Sequence, residues 1–212
     1  YGISVTTIDL SEMFGDAGRL ADDDARVKDK LSEIQAYALH DTVPSQNLVL
    51  MAKLGIVISD WMQANELNAS ALQCWTSIQA NYGVCSCATM SRLGDEGITC
   101  ACESDILGTL SMHAAMLASG SPAALADWNN LHNEDDELAN VWHCGVFPKS
   151  FAQAQPKLGV QEIIASSGAA RYEDSEGTVE FRMKPSPLTL CRVTQDADGA
   201  WKAAVAEGQI ED

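Results

Sequence analysis

The chain has 212 residues, of which 46% are hydrophobic and 20% charged, and this composition excludes a disordered protein and predicts a substantial buried core. The 30 acidic residues outnumber the 13 lysines and arginines, so the formal net charge is −17. This charge argues against nucleic acid or an anionic membrane as the partner, because both require basic surface. The most apolar stretch, residues 48–62, is interrupted by Lys53 and Asp60 and is too short to span a bilayer, so it predicts a core helix.

The first quarter of the chain predicts a strand followed by helices. Residues 2–8 alternate in polarity and predict a strand, residues 9–12 begin a short helix, and residues 15–24 are typical of a loop. Three aspartates at 22–24 precede a helical pattern over residues 25–39. Acids at a helix N-terminus stabilise the helix dipole, so this structural interpretation is favoured over a metal site.

The centre of the chain predicts a strand–helix–strand unit. Residues 72–75 predict a short buried strand, and residues 99–102 predict the next one. A helix over residues 105–118 follows, and strands are predicted at 123–126 and 138–142. A strand, a helix and a strand of this length form a βαβ unit, and such units build parallel sheets. The apolar face of the predicted helix consists of Ile106, Leu110, Ala114 and Leu117.

A chemically active side chain follows each strand of this central part. Glu103 follows the strand at 99–102, Asp127 the strand at 123–126 and His143 the strand at 138–142. In open α/β sheets the functional site lies beyond the carboxyl ends of the strands, so these residues are expected to converge. Two carboxylates and an imidazole predict a divalent-metal site with acid–base capability.

From Val146 onward the pattern changes to short segments separated by prolines and glycines. Strands are predicted at 178–183, 188–194 and 201–206, and Asp198-Gly199 is a hairpin-turn signal between the last two. We therefore predict an α/β domain with a parallel-sheet βαβ unit over residues 1–146. A small antiparallel β domain, or partial barrel, is predicted over residues 147–212.

Several short motifs occur in an order and spacing that resemble one enzyme superfamily. They are Gln73-Cys74-Trp75, Cys102-Glu103-Ser104-Asp105, Asp127-Trp128-Asn129, Trp142-His143-Cys144-Gly145, and the late Pro187-Leu188-Thr189-Leu190-Cys191-Arg192 with Asp198-Gly199-Ala200-Trp201. With these motifs the sequence resembles the L-fucose isomerase/L-arabinose isomerase superfamily, and most closely its fucose isomerase-like branch.

The resemblance implies a metal-dependent ketol isomerase that interconverts an open-chain aldose and ketose, such as those of L-fucose or L-arabinose, through an enediol. It implies that Glu103 and Asp127 bind Mn²⁺ or another divalent metal and move protons, and that His143 is a metal ligand or a substrate contact. It further implies that Gln73, Trp75 and Asn129 contact the sugar. A homo-oligomer is expected on the same ground.

The structural alternatives to these roles are ordinary ones. Glu103 can serve as a helix cap or an ion-pair partner, and Asp105 is an equally good cap. Asp127 can be an Asx-turn residue, and Trp75 can fill the interface between sheet and helix.

The sequence also departs from the superfamily pattern. The superfamily supplies a further ligand histidine from its far C-terminal part, and this sequence has no histidine after His143. The chain begins at Tyr1 rather than at a methionine, and the superfamily carries another domain before this point. We therefore expect a fragment that covers the central domain and part of the C-terminal domain, and that can be inactive alone.

Two other functional classes stay open. One is a sugar-binding or regulatory relative that has lost turnover. The other is a zinc-stabilised module built from Cys85-x-Cys87, Cys100-x-Cys102 and His143-Cys144. Structural zinc sites use C-x₂-C or longer spacings, so small buried residues are the favoured interpretation of these cysteines. Seven cysteines, an odd number that lie partly in apolar runs, predict reduced thiols and a cytoplasmic protein.

Overall fold

The computed structural model of the chain describes residues 3–135 and 137–211. The helices of the described residues are α1 (Leu10–Arg19), α2 (Ala25–Tyr37), α3 (Ser45–Ala64), α4 (Ser77–Tyr82), α5 (Cys87–Asp95), α6 (Ile106–Ser119) and α7 (Glu162–Ser167), with short 3₁₀ turns at Lys149–Phe151 and Tyr172–Asp174. The strands are β1 (Ala69–Ala71), β2 (Thr99–Ala101), β3 (Asp127–Leu131), β4 (Ala139–Trp142), β5 (Lys157–Val160), β6 (Glu176–Glu180), β7 (Ser186–Gln195) and β8 (Trp201–Ile210). Among these residues, no helix has both the length and the apolar character needed to cross a membrane.

The strand predicted for residues 2–8 is wrong over its described part. Gly2 lies outside the described residues, and residues 3–8 have no regular secondary structure. Ile3 and Val5 are 51% and 68% exposed, so the alternating pattern has neither a paired strand nor a core face to pack against. The chain becomes regular at α1, where the Asp9 carboxylate accepts the Ser11 backbone N–H at 2.7 Å.

The loop predicted from residue 15 begins later, because α1 continues to Arg19. Met13 and Ala17 of α1 are fully buried, and this packing outweighs the low helix propensity of Gly15 and Gly18. The last of the three aspartates at 22–24 has the structural role predicted for it. The Asp24 carboxylate caps α2 by accepting the Arg26 N–H at 2.8 Å.

Helix α3 is the core helix predicted for residues 48–62. Its residues contribute to both hydrophobic clusters of the described chain. Leu54 and Ile58 pack in the first cluster, while Met51 and Ile56 pack in the second. A helix that is apolar all round is stable only when it is buried all round, and α3 satisfies this requirement.

The parallel sheet contains the strand predicted at 99–102, but its partner is a strand that precedes it in the chain rather than the one predicted at 123–126. Strand β1 pairs with β2 in parallel, from Ala69 opposite Thr99 to Ala71 opposite Ala101. Beyond the strands the two segments stay together, because the Leu72 N–H donates to the Ala101 carbonyl at 2.9 Å. The strand predicted at 123–126 does not form. The strand near the one predicted at 72–75 is β1, which ends at Ala71, one residue before the predicted range.

Strand β3 belongs to an antiparallel hairpin. Asp127 lies opposite Trp142 of β4, and the register shifts between Trp128 and Asn130. Asn129 is therefore the extra residue of a β-bulge. The hairpin places Asp127 at its open end, next to the point where β4 ends and His143 follows.

The apolar face predicted for α6 is exposed rather than buried. Ile106 and Leu117 are 50% and 69% exposed. The buried residues of α6 are instead Met112 and three small or polar residues, Gly108, Thr109 and Ser111. Their polar groups are satisfied locally, as in the Ser111 hydroxyl, which donates to Leu107 O and accepts the Val193 N–H of β7.

The strands after Val146 pair in antiparallel fashion. Strand β5 pairs with β6, and β7 pairs with β8 along ten residues on either side of the predicted turn at Asp198-Gly199. Leu158 of β5 and Val179 of β6 pack into the same hydrophobic cluster as α2 and α3. The domain boundary near Val146 stays a prediction.

Gly145 provides a test of how tightly β6 packs against the segment after β4. Its φ is +82°, and a Cβ there would lie 2.8 Å from the Val179 backbone nitrogen. We expect Gly145→Ala to lower the free energy of unfolding by about 3 kcal/mol, because left-handed strain adds to overpacking. Urea denaturation followed by circular dichroism measures this difference.

The matched control is Gly199→Ala. Gly199 also has a positive φ, +78°, but faces open space, so only the conformational cost of about 1 kcal/mol is expected. Equal losses in the two variants would contradict close packing at Gly145.

Candidate functional site

Glu103 lies on a tight turn directly after β2. Glu103 and Ser104 both have positive φ values, +60° and +55°. The turn is fixed to the neighbouring segment, because the Ser104 N–H donates to the Leu72 carbonyl at 3.1 Å. Non-glycine residues in this conformation are uncommon and concentrate at functional sites. The turn exposes the Glu103 side chain and leads into α6, which Asp105 caps.

The structure brings Trp75 and Glu103 together. The Trp75 indole Nε1–H donates to Glu103 Oε1 at 3.0 Å. Trp75 is 45% exposed, so one part of its ring orients the carboxylate while the rest is open to solvent. Gln73 is exposed as well, whereas Leu72, which precedes it, and Cys74, which follows it, are buried. Gln73 and Trp75 therefore share the exposed side of this extended segment.

His143 links the hairpin to this turn. It is only 5% exposed, and its Nδ1 accepts the Cys144 backbone N–H at 2.9 Å. Burial lowers the pKa of His143, but the hydrogen bond and charge of the Cys144 thiol oppose this effect. The negative charges of Asp127 and Glu103 add to the opposition, and the pKa of His143 is raised overall. Of these two carboxylates, that of Asp127 is placed beside His143 by the hairpin, since Asp127 lies opposite Trp142.

Asn129 lies elsewhere on the hairpin, at the β3 bulge. Its side-chain amide donates to Asn130 Oδ1 at 3.1 Å. Within the described residues, no hydrogen bond joins Asn129 to Glu103 or Asp127. Its assignment as a sugar contact stays a prediction, as do the roles of the other predicted site residues.

Among the described residues, the ligand atoms of Glu103, Asp127 and His143 do not form a group within 4.8 Å of one another, so an oxygen-rich metal site there stays a prediction. Glu103 and Asp127 are both exposed, and each offers carboxylate oxygens. Arg192, the cation on the adjacent strand β7, pairs with Asp105 at 2.7 Å rather than with Glu103. Carboxylate oxygens with one imidazole favour Mn²⁺ or Mg²⁺ over metals that prefer thiolates.

A group of cysteines lies behind these residues; the sequence includes Cys87, Cys102 and Cys144 in the less favoured zinc alternative, but not Cys74. We call Cys74, Cys87, Cys102 and Cys144 the thiol cluster; all are buried. The Cys102 Sγ lies 2.8 Å from that of Cys74 and 3.6 Å from that of Cys144. The Cys87 Sγ lies 3.9 Å from that of Cys144. The available signal was position, because Cys74, Cys102 and Cys144 are each adjacent to a predicted site residue.

The thiol cluster differs electrostatically from an isolated buried cysteine. Hydrogen bonds from Cys102, Cys74 and Cys87 lower the pKa of the Cys144 thiol. Outside the cluster, burial raises the pKa of Cys100 to about 11.

Comparison with curated proteins shows that this chain is similar to sulfoquinovose isomerases. It is 27% identical over 213 residues to that of Clostridium sp. (strain MSTE9), 26% over 212 residues to that of Priestia megaterium, and 28% over 214 residues to that of Alkalicoccus urumqiensis. Each alignment covers 100% of this chain but only 45–46% of the relative, so the chain spans about half the length of the curated relatives it matches. No profile of a known protein family matches the chain.

Asp105 holds the edge of the site to strand β7, and this can be tested. Its carboxylate accepts the Gly108 N–H at 2.7 Å and pairs with Arg192. We expect Asp105→Ala to cost about 1 kcal/mol through loss of the helix cap, with less than about 1 kcal/mol more from the partly exposed ion pair. Urea denaturation measures the change. Asp105→Asn is the control, because asparagine keeps the cap, and a loss as large as that of the alanine variant would assign the stabilisation to the ion pair instead.

Proposed function

We propose that the protein to which this chain belongs is an aldose–ketose isomerase, and that Glu103 and Asp127 are its acid–base carboxylates. The observation that carries the proposal is the exposed Glu103 carboxylate, which a left-handed turn presents and the Trp75 indole N–H holds at 3.0 Å, while the hairpin places Asp127 opposite Trp142, the residue before His143. Similarity over the whole chain to proteins named sulfoquinovose isomerase supports the same reaction class.

The reaction moves a proton between two adjacent carbons of an open-chain sugar. One group must remove the proton, one must return it, and the negative charge on the enediolate oxygens must be stabilised. A divalent metal such as Mn²⁺, when bound, supplies that stabilisation as a Lewis acid. In our proposal the carboxylates of Glu103 and Asp127 hold it and carry the proton between the carbons.

The neighbouring residues position these groups. The Trp75 N–H fixes one oxygen of Glu103, which leaves the other oxygen for the metal or the proton. The exposed part of the indole ring provides a face for the sugar, and Gln73 beside it can hydrogen-bond to hydroxyls. We assign to Asn129, at the β3 bulge, a hydrogen bond to a sugar hydroxyl.

His143 is better suited to contact the substrate than to bind this metal. Its Nδ1 accepts the Cys144 N–H, so in the neutral ring the proton is on Nε2. An Nε2–H is a hydrogen-bond donor, whereas a metal ligand needs a free lone pair there. We therefore assign the Nε2–H to a sugar oxygen.

The names of the relatives make sulfoquinovose the first substrate to assay, followed by L-fucose and L-arabinose. Because the chain spans about half of those relatives, the assay should use the full-length protein. Dependence on Mn²⁺, homo-oligomeric assembly and a cytoplasmic location stay predictions that accompany this function.

The central test replaces each carboxylate by its isosteric amide. We expect Glu103→Gln and Asp127→Asn each to lower kcat/KM for ketose formation by about 10²–10⁴-fold, because an amide cannot accept the proton. Asp29→Asn, which changes an exposed aspartate on α2, is the matched control and should keep the full rate. A Glu103→Gln enzyme with an unaltered rate would refute the proposal.

A second test separates orientation from stacking at Trp75. Trp75→Phe keeps an aromatic face but removes the hydrogen bond to Glu103, so kcat should fall by about tenfold with little change in KM. Trp75→Leu also removes the face and should raise KM in addition. Trp128→Phe, at a 63% exposed tryptophan on β3, is the control. If Trp75→Phe behaves like this control, Trp75 does not orient Glu103.

A further inference from the structure

The geometry points to a second metal site, in which Cys102, Cys144, His143 and Cys74 bind one thiophilic ion such as Zn²⁺ behind the carboxylates. This site uses none of the proposed acid–base carboxylates: its ligands are the buried sulfurs and Nδ1 of His143, which would bind the ion in place of the Cys144 N–H that it accepts in the metal-free chain.

The spacing of three of these groups fits a single ion. The ligand atoms of Cys102, His143 and Cys144 all lie within 4.8 Å of one another, and all three residues are buried. The Cys102 and Cys144 sulfurs are 3.6 Å apart, and His143 Nδ1 is 3.2 Å from the Cys144 sulfur. A tetrahedral zinc with metal–sulfur bonds of about 2.3 Å separates its sulfurs by about 3.8 Å.

Cys74 supplies the fourth ligand. Its sulfur lies 2.8 Å from that of Cys102 but outside the group of three ligand atoms within 4.8 Å of one another, so its side chain must move toward the other ligands to reach the ion, and the pair with Cys102 must open by about 1 Å toward the tetrahedral separation. Three cysteines and one histidine form a common closed zinc site.

The cluster contrasts with the other cysteines. Cys85 and Cys191 each donate to a backbone carbonyl, at Ser175 and Ser111 respectively. Cys102 and Cys144 have only thiols and the imidazole as side-chain partners within the described residues. Buried sulfurs that face one another form a donor set that selects a soft or borderline metal and disfavours Mn²⁺.

Cys87 lies beside the site without belonging to the ligand set. It is the first residue of α5, and its thiol donates to the Cys144 sulfur at 3.9 Å. The positive end of the helix and this hydrogen bond both favour a thiolate at Cys144, which is the form that binds metal.

Titration of the fully reduced chain with Co²⁺ tests the site directly. One Co²⁺ per chain should bind, with the visible bands of a tetrahedral site and thiolate-to-cobalt absorption in the near ultraviolet, and one equivalent of Zn²⁺ should abolish both. Excess Mn²⁺ should leave them unchanged. Absence of thiolate-to-cobalt absorption in the reduced, folded chain would overturn the proposal.

Variants then locate the ligands. Cys102→Ser and Cys144→Ser should each weaken Co²⁺ binding by at least 100-fold, whereas Cys100→Ser, at a buried cysteine outside the cluster, should bind as the unaltered chain does. Equal weakening in all three would overturn the assignment. Circular dichroism checks the fold of each variant, and the spectrum of the unaltered chain decides the question if a variant fails to fold.

Discussion

The parallel pairing of β1 with β2 is the constraint on which the rest of the site depends. It is only three residues long, yet hydrogen bonds from Leu72 and Ser104 extend it beyond both strands. The two segments that leave the pair therefore run side by side. This one pairing brings the Trp75 indole to the Glu103 carboxylate and the Cys74 sulfur to the Cys102 sulfur. A shift of register would separate both pairs at once.

The β3–β4 hairpin supplies the remaining groups by a different route. Antiparallel pairing places the first residue of β3, Asp127, opposite the last residue of β4, so His143 follows beside it. The segment after His143 is then fixed against β6, where the Val179 N–H donates to the Gly145 carbonyl at 3.0 Å. The sequence pattern predicts the convergence of Asp127 and His143 at the edge of a parallel sheet. The convergence occurs because the two ends of a hairpin meet.

Sequence patterns predicted the elements whose signals are local. Strand β2, the capped start of α6 and the Asp198-Gly199 turn depend on short-range propensity and hydrogen bonding, which a few residues specify. The buried face of α6 could not be predicted in this way. Periodicity identifies where apolar side chains lie on a helix, but Thr109 and Ser111 are buried because their hydroxyls find backbone partners across the packed strands. The same reason applies to residues 3–8, whose alternation has no partner strand.

Alternation at the ends of the strands separates two kinds of ligand by a simple rule. Successive residues of an extended segment face opposite sides, so Cys74 is buried where Trp75 is exposed, whereas Glu103 is exposed next to the buried Cys102 because the chain turns there in the left-handed conformation. Oxygen donors thus face the solvent side, and sulfur donors face the core. In our two proposals each side disfavours the metal that the other prefers, because carboxylates favour hard ions and thiolates favour softer ones. His143 lies between the carboxylates and the thiol cluster, with its Nδ1 3.2 Å from the Cys144 sulfur. A metal ion bound at Nδ1 would therefore fix the orientation of the imidazole, and with it the direction of the Nε2–H that we assign to the substrate.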